Sequence, residues 1–176
     1  MLMNASKIFR GLAIYFVLPL VLSVIISLTV VNIIRPNKVN GNSMASTYPD
    51  GTKVACSKVL SFHIERGDVV IFRKYKPKNL PDEILDEEGY LQAIKRVIAI
   101  PHDTLAIRDN KVYVNGQEVS EPYIKESMQT SDMEITLGKD EYFVMGDNRN
   151  ESTDSRVFGI VDKSEIEYYV IGSATE

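Results

Sequence analysis

Ala93-Ile94-Lys95-Arg96-Val97-Ile98-Ala99-Ile100 decides how the chain is read: an apolar run, mostly β-branched, broken by two adjacent cations. Branched side chains favour a pleated strand, and a strand sends alternate residues to opposite faces. On that pattern Lys95 shares a face with Ala93, Val97 and Ala99, and Arg96 shares the other with Ile94, Ile98 and Ile100. Both faces are apolar, so at least one cation has to be buried or paired. A side chain snorkelling from an edge strand is one solution. A lysine desolvated so that its amine can act as a base is the other. With an ordinary pKa near 10.4, only about one lysine in a thousand is neutral at pH 7.4. Lowering the pKa to about 7.4 takes roughly 4 kcal/mol of preference for the neutral amine, which burial can supply.

The same strand-like pattern recurs on both sides of this run. Asp68 to Phe72 follows Arg66-Gly67 and reads as a buried strand. Residues 105–108, 111–114 and 117–119 are separated by Asp109-Asn110 and Asn115-Gly116, and Asn-Gly between such runs signals a hairpin. Residues 141–145 and 166–171 add two more strands. Lys74 to Gly89, with Pro77, Pro81, Asp82, Glu83, Asp86, Glu87 and Glu88, reads as a solvated acidic loop. Ser120 to Gly138 reads as connection, and Cys56 as a small buried strand residue. No long helical period follows residue 34, so this part is expected to be mainly β.

Ahead of it lies a different kind of sequence. Gly11 to Ile34 carries no charge and is mostly Leu, Val, Ile, Ala and Phe. About 20 such residues span the roughly 30 Å hydrocarbon core, and Pro19 is tolerated better there than in a soluble helix. The run is longer than the 7–15 residues of a signal-peptide core and has no small-residue cleavage site. The expected plan is a short cytoplasmic arm over 1–10, a transmembrane anchor over 11–34 and an extracytoplasmic β domain over 35–176, in the cell membrane. Lys7 and Arg10 before the span, against Arg35 and Lys38 after it, make the charge bias weak, and a short cytoplasmic arm is the simpler topology.

Composition excludes several functions. The 176 residues carry 20 Lys and Arg against 24 Asp and Glu, a net −4, and residues 1–34 hold two basic and no acidic side chains. The acidic balance argues against non-specific nucleic-acid binding. One cysteine and two histidines supply neither a disulfide nor a structural zinc site. The sequence has no HExxH, CxxC, GxGxxG or Walker loop, which disfavours metalloprotease, redox and nucleotide-binding functions. The remaining dense polar segment is Gly146-Asp147-Asn148-Arg149-Asn150-Glu151-Ser152-Thr153-Asp154-Ser155-Arg156-Val157-Phe158-Gly159. Its alternating acids, hydroxyls and arginines can form a network that rigidifies a site.

These segments, with Val39-Asn40-Gly41-Asn42-Ser43-Met44, Arg66 to Phe72 and Lys95 to Asp103, resemble the bacterial type I signal peptidases in order across nearly the whole chain. Those are membrane-anchored serine proteases with a Ser/Lys dyad. The resemblance implies a signal-peptidase/LexA-like β fold behind one N-terminal transmembrane helix. By position, Ser43 would be the nucleophile and Lys95 its general base, with Ser152 orienting the lysine amine. Asp154 and Arg156 would form an ion pair beneath the site, Asp147 would pair with Arg96, and Met44 would wall a pocket for a small side chain. The oxyanion donor would be the Ser43 N–H, joined in some relatives by a hydroxyl at the position of Gly41. The chain departs from the family at Ser46, where a proline is usual, at His102, where a glycine is usual, and at Tyr48 and Thr52.

The implied reaction is cofactor-free removal of signal peptides from exported preproteins after a small-x-small motif, close to membrane lipid and without nucleic acid. The alternative is a catalytically weak or client-restricted assembly factor working with pilus or secretion components. A self-cleaving repressor protease of the LexA type shares the chemistry. The charge-free run and the lack of a DNA-binding helical domain argue against it. Neither His63 nor His102 falls at a base position, and the endoplasmic-reticulum relatives carry histidine where this chain has Lys95.

Overall fold

A computed structural model describes residues 13–58 and 63–174 of the chain. The arm expected over 1–10 and the first residues of the expected anchor lie outside them. The rest of the charge-free run is helical in two pieces, a π-helical Ala13–Val17 and helix α1, Leu18–Ile33. Pro19 accounts for the join: it has no N–H for the carbonyl four residues back, and the wider turn ahead of it absorbs the mismatch. Ile14, Phe16, Leu20, Leu22 and Ile26 are all exposed. Among the described residues no helix is long and apolar enough to cross a membrane. Ile34, assigned to the anchor from sequence, instead begins the first strand. By internal contacts the chain divides into residues 1–35 and 36–176.

The second unit is mainly β. The strands are β1 (Ile34–Lys38), whose first two residues fall in the first unit, β2 (Lys53–Lys58), β3 (Val69–Tyr75), β4 (Tyr90–Ala99), β5 (Thr104–Arg108) and β6 (Lys111–Val114). They continue with β7 (Gln117–Glu118), β8 (Met133–Thr136), β9 (Glu141–Met145), β10 (Val161–Asp162) and β11 (Ile166–Ala174), with a one-turn helix α2 at Ser155–Phe158. A seven-stranded sheet runs β1-β2-β11-β3-β4-β9-β10, and a four-stranded sheet runs β7-β6-β5-β8. β3 shows why the larger sheet is central. Val70 and Phe72 enter one apolar cluster with Val97, Val144 and Phe158, whereas Val69 and Ile71 enter another with Val39, Met44 and Val54. A strand buried on both faces reads as a continuous apolar run, as Val69 to Phe72 does.

β4 departs from strict alternation. Lys95 pairs with Val70 of β3 and lies on the face of Ala93 and Val97, as expected. The register against β9 then shifts between Val97 and Ala99. One extra residue in a bulge turns everything after it over, so Ala99 joins Ile98, Leu105 and Phe143 in a third cluster instead of sharing the Val97 face. That cluster is the core of the smaller sheet. Its hairpin turns form where the sequence placed them, with Asp109, Asn110, Asn115 and Gly116 all in the left-handed region that such turns need. The expected connection over 120–138 contains β8, where Met133 and Ile135 pack on the core and Glu134 and Thr136 face solvent. Cys56 is fully buried in β2, and burial pushes its thiol up to about 11. Part of the acidic loop is held down by Arg73, which donates to Asp86 (2.8 Å) and Glu88 (2.7 Å).

Candidate active site

The loop between β1 and β2 folds into a tight turn that carries Ser43. Ala45 N–H bonds Asn42 O (3.0 Å), and the N–H groups of Thr47 and Tyr48 bond Met44 O (2.9 and 2.6 Å). Met44 is fully buried and pins the turn to the core beneath β3. Gly41 enters it at φ +85°, a conformation other residues adopt at a cost, and its N–H is occupied by Asp50 Oδ1 at 2.7 Å. The backbone therefore favours glycine at this position. Ser43 itself is half-buried, and its N–H bonds no other described residue.

Lys95 reaches this turn from the middle of β4. Its Nζ donates to Ser43 Oγ at 2.6 Å, and the residue is 4 % exposed. Burial pushes the amine down to about 8, against the pull of Asp154 and Asp147 and with help from Arg156. Arg96, one residue on, is treated in the opposite way. Its Nε and Nη2 donate to Asp147 at 2.8 and 2.6 Å, and Asp147 also accepts the Thr47 hydroxyl at 2.5 Å. Burial opposes the charge on Arg96, but Asp147 more than restores it. The carboxylate thus ties β4 to the serine turn.

The polar segment after β9 closes the site from behind. Asp154, wholly buried, accepts from Arg156 Nε and Nη2 (both 2.8 Å) and from Gly146 N–H (3.0 Å). Asn148 N–H donates to Ser43 O at 3.0 Å. A Cβ on Gly146 would lie 2.5 Å from Ser43 O and collide with Ser152, so only glycine allows this approach. One expected contact is not made: Ser152 Oγ is buried with no hydrogen-bond partner among the described residues. The Lys95 amine has turned to Ser43 instead. A cleft of about 90 Å³ is lined by Val39, Asn40, Val54, Ile71, Gln92 and Ile94, on the segments that lead to Ser43 and Lys95, though neither of those two lines it.

Four residues here are not singled out by the sequence. Thr47 had no signal beyond its place after Ser43. Arg149 stood inside the quoted polar segment, yet only the structure shows it fully buried and paired with Glu121 (2.8 and 2.5 Å). Glu121 and Tyr123 fell in the stretch taken as connection. The usual proline is absent at Ser46, but the turn forms around it.

A buried amine on a half-exposed hydroxyl, set in a mainly β domain, suits a serine peptidase. The model of the family described as signal peptidase, peptidase S26, matches residues 12–175. Signal peptidase I of Bacillus licheniformis is 32% identical over 145 residues, covering 75% of this chain and 72% of the relative. Signal peptidase I P of Bacillus subtilis subsp. natto is 32% identical over 162 residues, covering 84% and 81%. A crystal structure of a signal peptidase I from Enterococcus faecalis V583 aligns with a TM-score of 0.46 at 30% identity, over 65% of this chain and 98% of that one. The protein is a serine endopeptidase. It belongs to the signal peptidase family, peptidase S26, whose relatives here are signal peptidases I.

Proposed function

We propose that this chain removes signal peptides from exported preproteins, with Ser43 as nucleophile and Lys95 as general base. The observation that carries the reading is the 2.6 Å contact between Ser43 Oγ and a buried amine pushed down to about 8. Neutral Lys95 takes the Ser43 proton as Oγ attacks the scissile carbonyl. The Ser43 N–H is free to meet the oxyanion. Lys95 then gives its proton to the leaving amine, and water, activated by the same amine, hydrolyses the acyl-enzyme. The small cleft beside Val39 and Ile94 suits small side chains before the cut, in keeping with a small-x-small motif, and Met44, buried behind it, packs against the same apolar residues. Asp147 with Arg96, and Asp154 with Arg156, hold the turn and the strand in place. Ser152 stands ready as an alternative partner for the amine once substrate displaces it from Ser43, because its Oγ is uncommitted.

We infer that the charge-free run over 11–34 is a membrane anchor, with residues 1–10 cytoplasmic and the β domain outside. The exposed apolar residues from Ile14 to Ile26 support this, because a helix apolar all round needs lipid or protein around it. Tethering raises the concentration of the site near bonds that emerge at the membrane surface. Cleavage of a model preprotein in detergent, with mass spectrometry locating the cut, tests the proposal. A cut after a small-x-small site, abolished by Ser43→Ala and by Lys95→Ala, is the expected result. Undiminished cleavage by Ser43→Ala would overturn the assignment. Folded wild type that cuts neither generic nor native precursors would point to an assembly role.

A further inference from the structure

The connection between β7 and β8, which belongs to the smaller sheet, reaches the site through Glu121 and Tyr123. The Tyr123 ring lies 4.2 Å from the Arg96 guanidinium and 5.9 Å from that of Arg149. Its hydroxyl donates to Glu121 Oε1 at 3.0 Å. Glu121 in turn holds Arg149 through both oxygens, and Arg149 Nε donates to Gly146 O at 3.0 Å. Every link runs toward the reacting pair. Arg96 follows Lys95 on β4 and grips Asp147, which grips Thr47 in the Ser43 turn. Gly146 lies against Ser43 O.

We propose that Tyr123, with Glu121, is a positioning residue: it braces Arg96 and Arg149 from the smaller sheet and so holds the Ser43 turn and the Gly146 loop in register with Lys95. The geometry favours this over a packing role. An arginine stacked on an aromatic face is fixed in a plane while its edge nitrogens stay free to bond. The Arg96 side chain is 12 % exposed, and Tyr123 covers the face that its two bonds to Asp147 leave open. Glu121 and Arg149 are more deeply buried, at 7 % and 0 % of their side chains. Such a pair fixes geometry more reliably than it adds stability. The smaller sheet is then a brace for the reaction centre.

The inference rests on the Ser43/Lys95 reading but can fail separately from it. Tyr123→Leu removes the ring face, and Tyr123→Phe keeps the face while dropping the bond to Glu121. A misplacement of about 1 Å can cost 100-fold, so loosening the brace is expected to lower kcat about tenfold with KM within about twofold. Tyr123→Phe is expected to restore most of the rate. Loosening Arg96 also leaves the Asp147 carboxylate less neutralised, and Asp147 already pulls the Lys95 amine upward, so the acid limb of the pH–rate profile moves to higher pH, which a purely structural loss would not produce. Titration of Lys95 by NMR on the full chain in detergent reads the same shift without any cleavage. Should Tyr123→Leu not fold, Tyr123→Met refills the volume without an aromatic face. A folded Leu or Met variant with wild-type kcat and an unmoved Lys95 titration overturns the proposal. If Ser43→Ala still cleaves, the Ser43/Lys95 reading fails instead, and the NMR titration still decides the role of Tyr123.

Discussion

Two of the charged groups buried in the β domain, Asp103 and Lys95, are used in opposite ways. At the corner after β4, Asp103 is 4 % exposed and saturated: it accepts from Arg66 through both oxygens, from Ile100 N–H (2.9 Å) and from Asn115 Nδ2 (2.9 Å). At the centre of β4, Lys95 is equally buried, yet its one hydrogen bond is to a neutral hydroxyl. Burial raises the cost of charge at both places. The partners decide whether that cost is cancelled, giving a firm corner, or left standing, giving a reactive amine. Stability and reactivity are thus set by the same variable, the number of charge-matched partners within reach.

Lys95→Met breaks the contrast most sharply. Losing a general base costs about 10²–10⁴-fold, so kcat/KM in the preprotein assay is expected to fall about a thousandfold. Stability should move the other way. An amine lowered from 10.5 to about 8 disfavours the folded state in the protonated form. The unfolded chain binds more protons between those values, so the penalty is full below about pH 8 and vanishes above about pH 10.5. At about 1.4 kcal/mol per unit it amounts to roughly 3 kcal/mol, which denaturant unfolding at pH 7 should return in the variant. A less stable, active Lys95→Met would end this account of the strand.

At the saturated corner the same experiment runs in reverse. Asp103→Asn keeps the shape but removes the charge that Arg66 meets, and breaking a buried pair costs about 3–5 kcal/mol. Arg66 is 46 % exposed, so the expected loss is smaller, about 1–3 kcal/mol by urea unfolding. The cleavage rate of the folded fraction should be unchanged. Burial alone would raise the Asp103 pKa, but the bonds from Arg66, Ile100 and Asn115 outweigh it and lower the value. This stabilisation is therefore present above the unfolded pKa near 3.8 and is lost as pH falls through the lower folded value.

Acid dependence of catalysis sharpens the comparison further. With Lys95 near 8, kcat/KM should fall about tenfold per pH unit below that value and level off above it. Asp103→Asn should keep the midpoint, because the corner is not part of the amine's surroundings. A flat profile from pH 6 to 9 would exclude a buried amine as the base.

Much of this is legible in the amino-acid sequence. Lys95 and Arg96 announced themselves because two cations cannot both sit on apolar faces without consequence. The hairpins at Asp109-Asn110 and Asn115-Gly116 followed from local backbone chemistry. The bulge after Val97 was not legible, since it depends on how β9 packs rather than on β4. Neither β8 nor the Glu121–Arg149 pair could be read, because a carboxylate in a polar stretch looks the same whether it faces water or a buried guanidinium. The uncommitted Ser152 hydroxyl was hidden too, being a matter of which way one amine turns.

His102 gives the smallest expected effect and the cleanest control. It occupies the left-handed region at φ +71°, in a turn closed by Asp103 N–H to Ile100 O at 3.1 Å. The usual glycine of the family would sit there without the roughly 1–2 kcal/mol that an L side chain meets in that region. His102→Gly removes this strain but gives the unfolded chain more freedom, worth about 0.4–1 kcal/mol in the other direction. A net gain of about 0.5 kcal/mol follows, a rise in Tm of about 1–2 °C for a chain of this size. The turn delivers Asp103 to Arg66 and touches neither Ser43 nor Lys95, so kcat/KM and the acid limb should stay within error of wild type. A change in either would mean that the corner reaches the amine after all, and the separation between the saturated and the unsaturated charge would have to be redrawn.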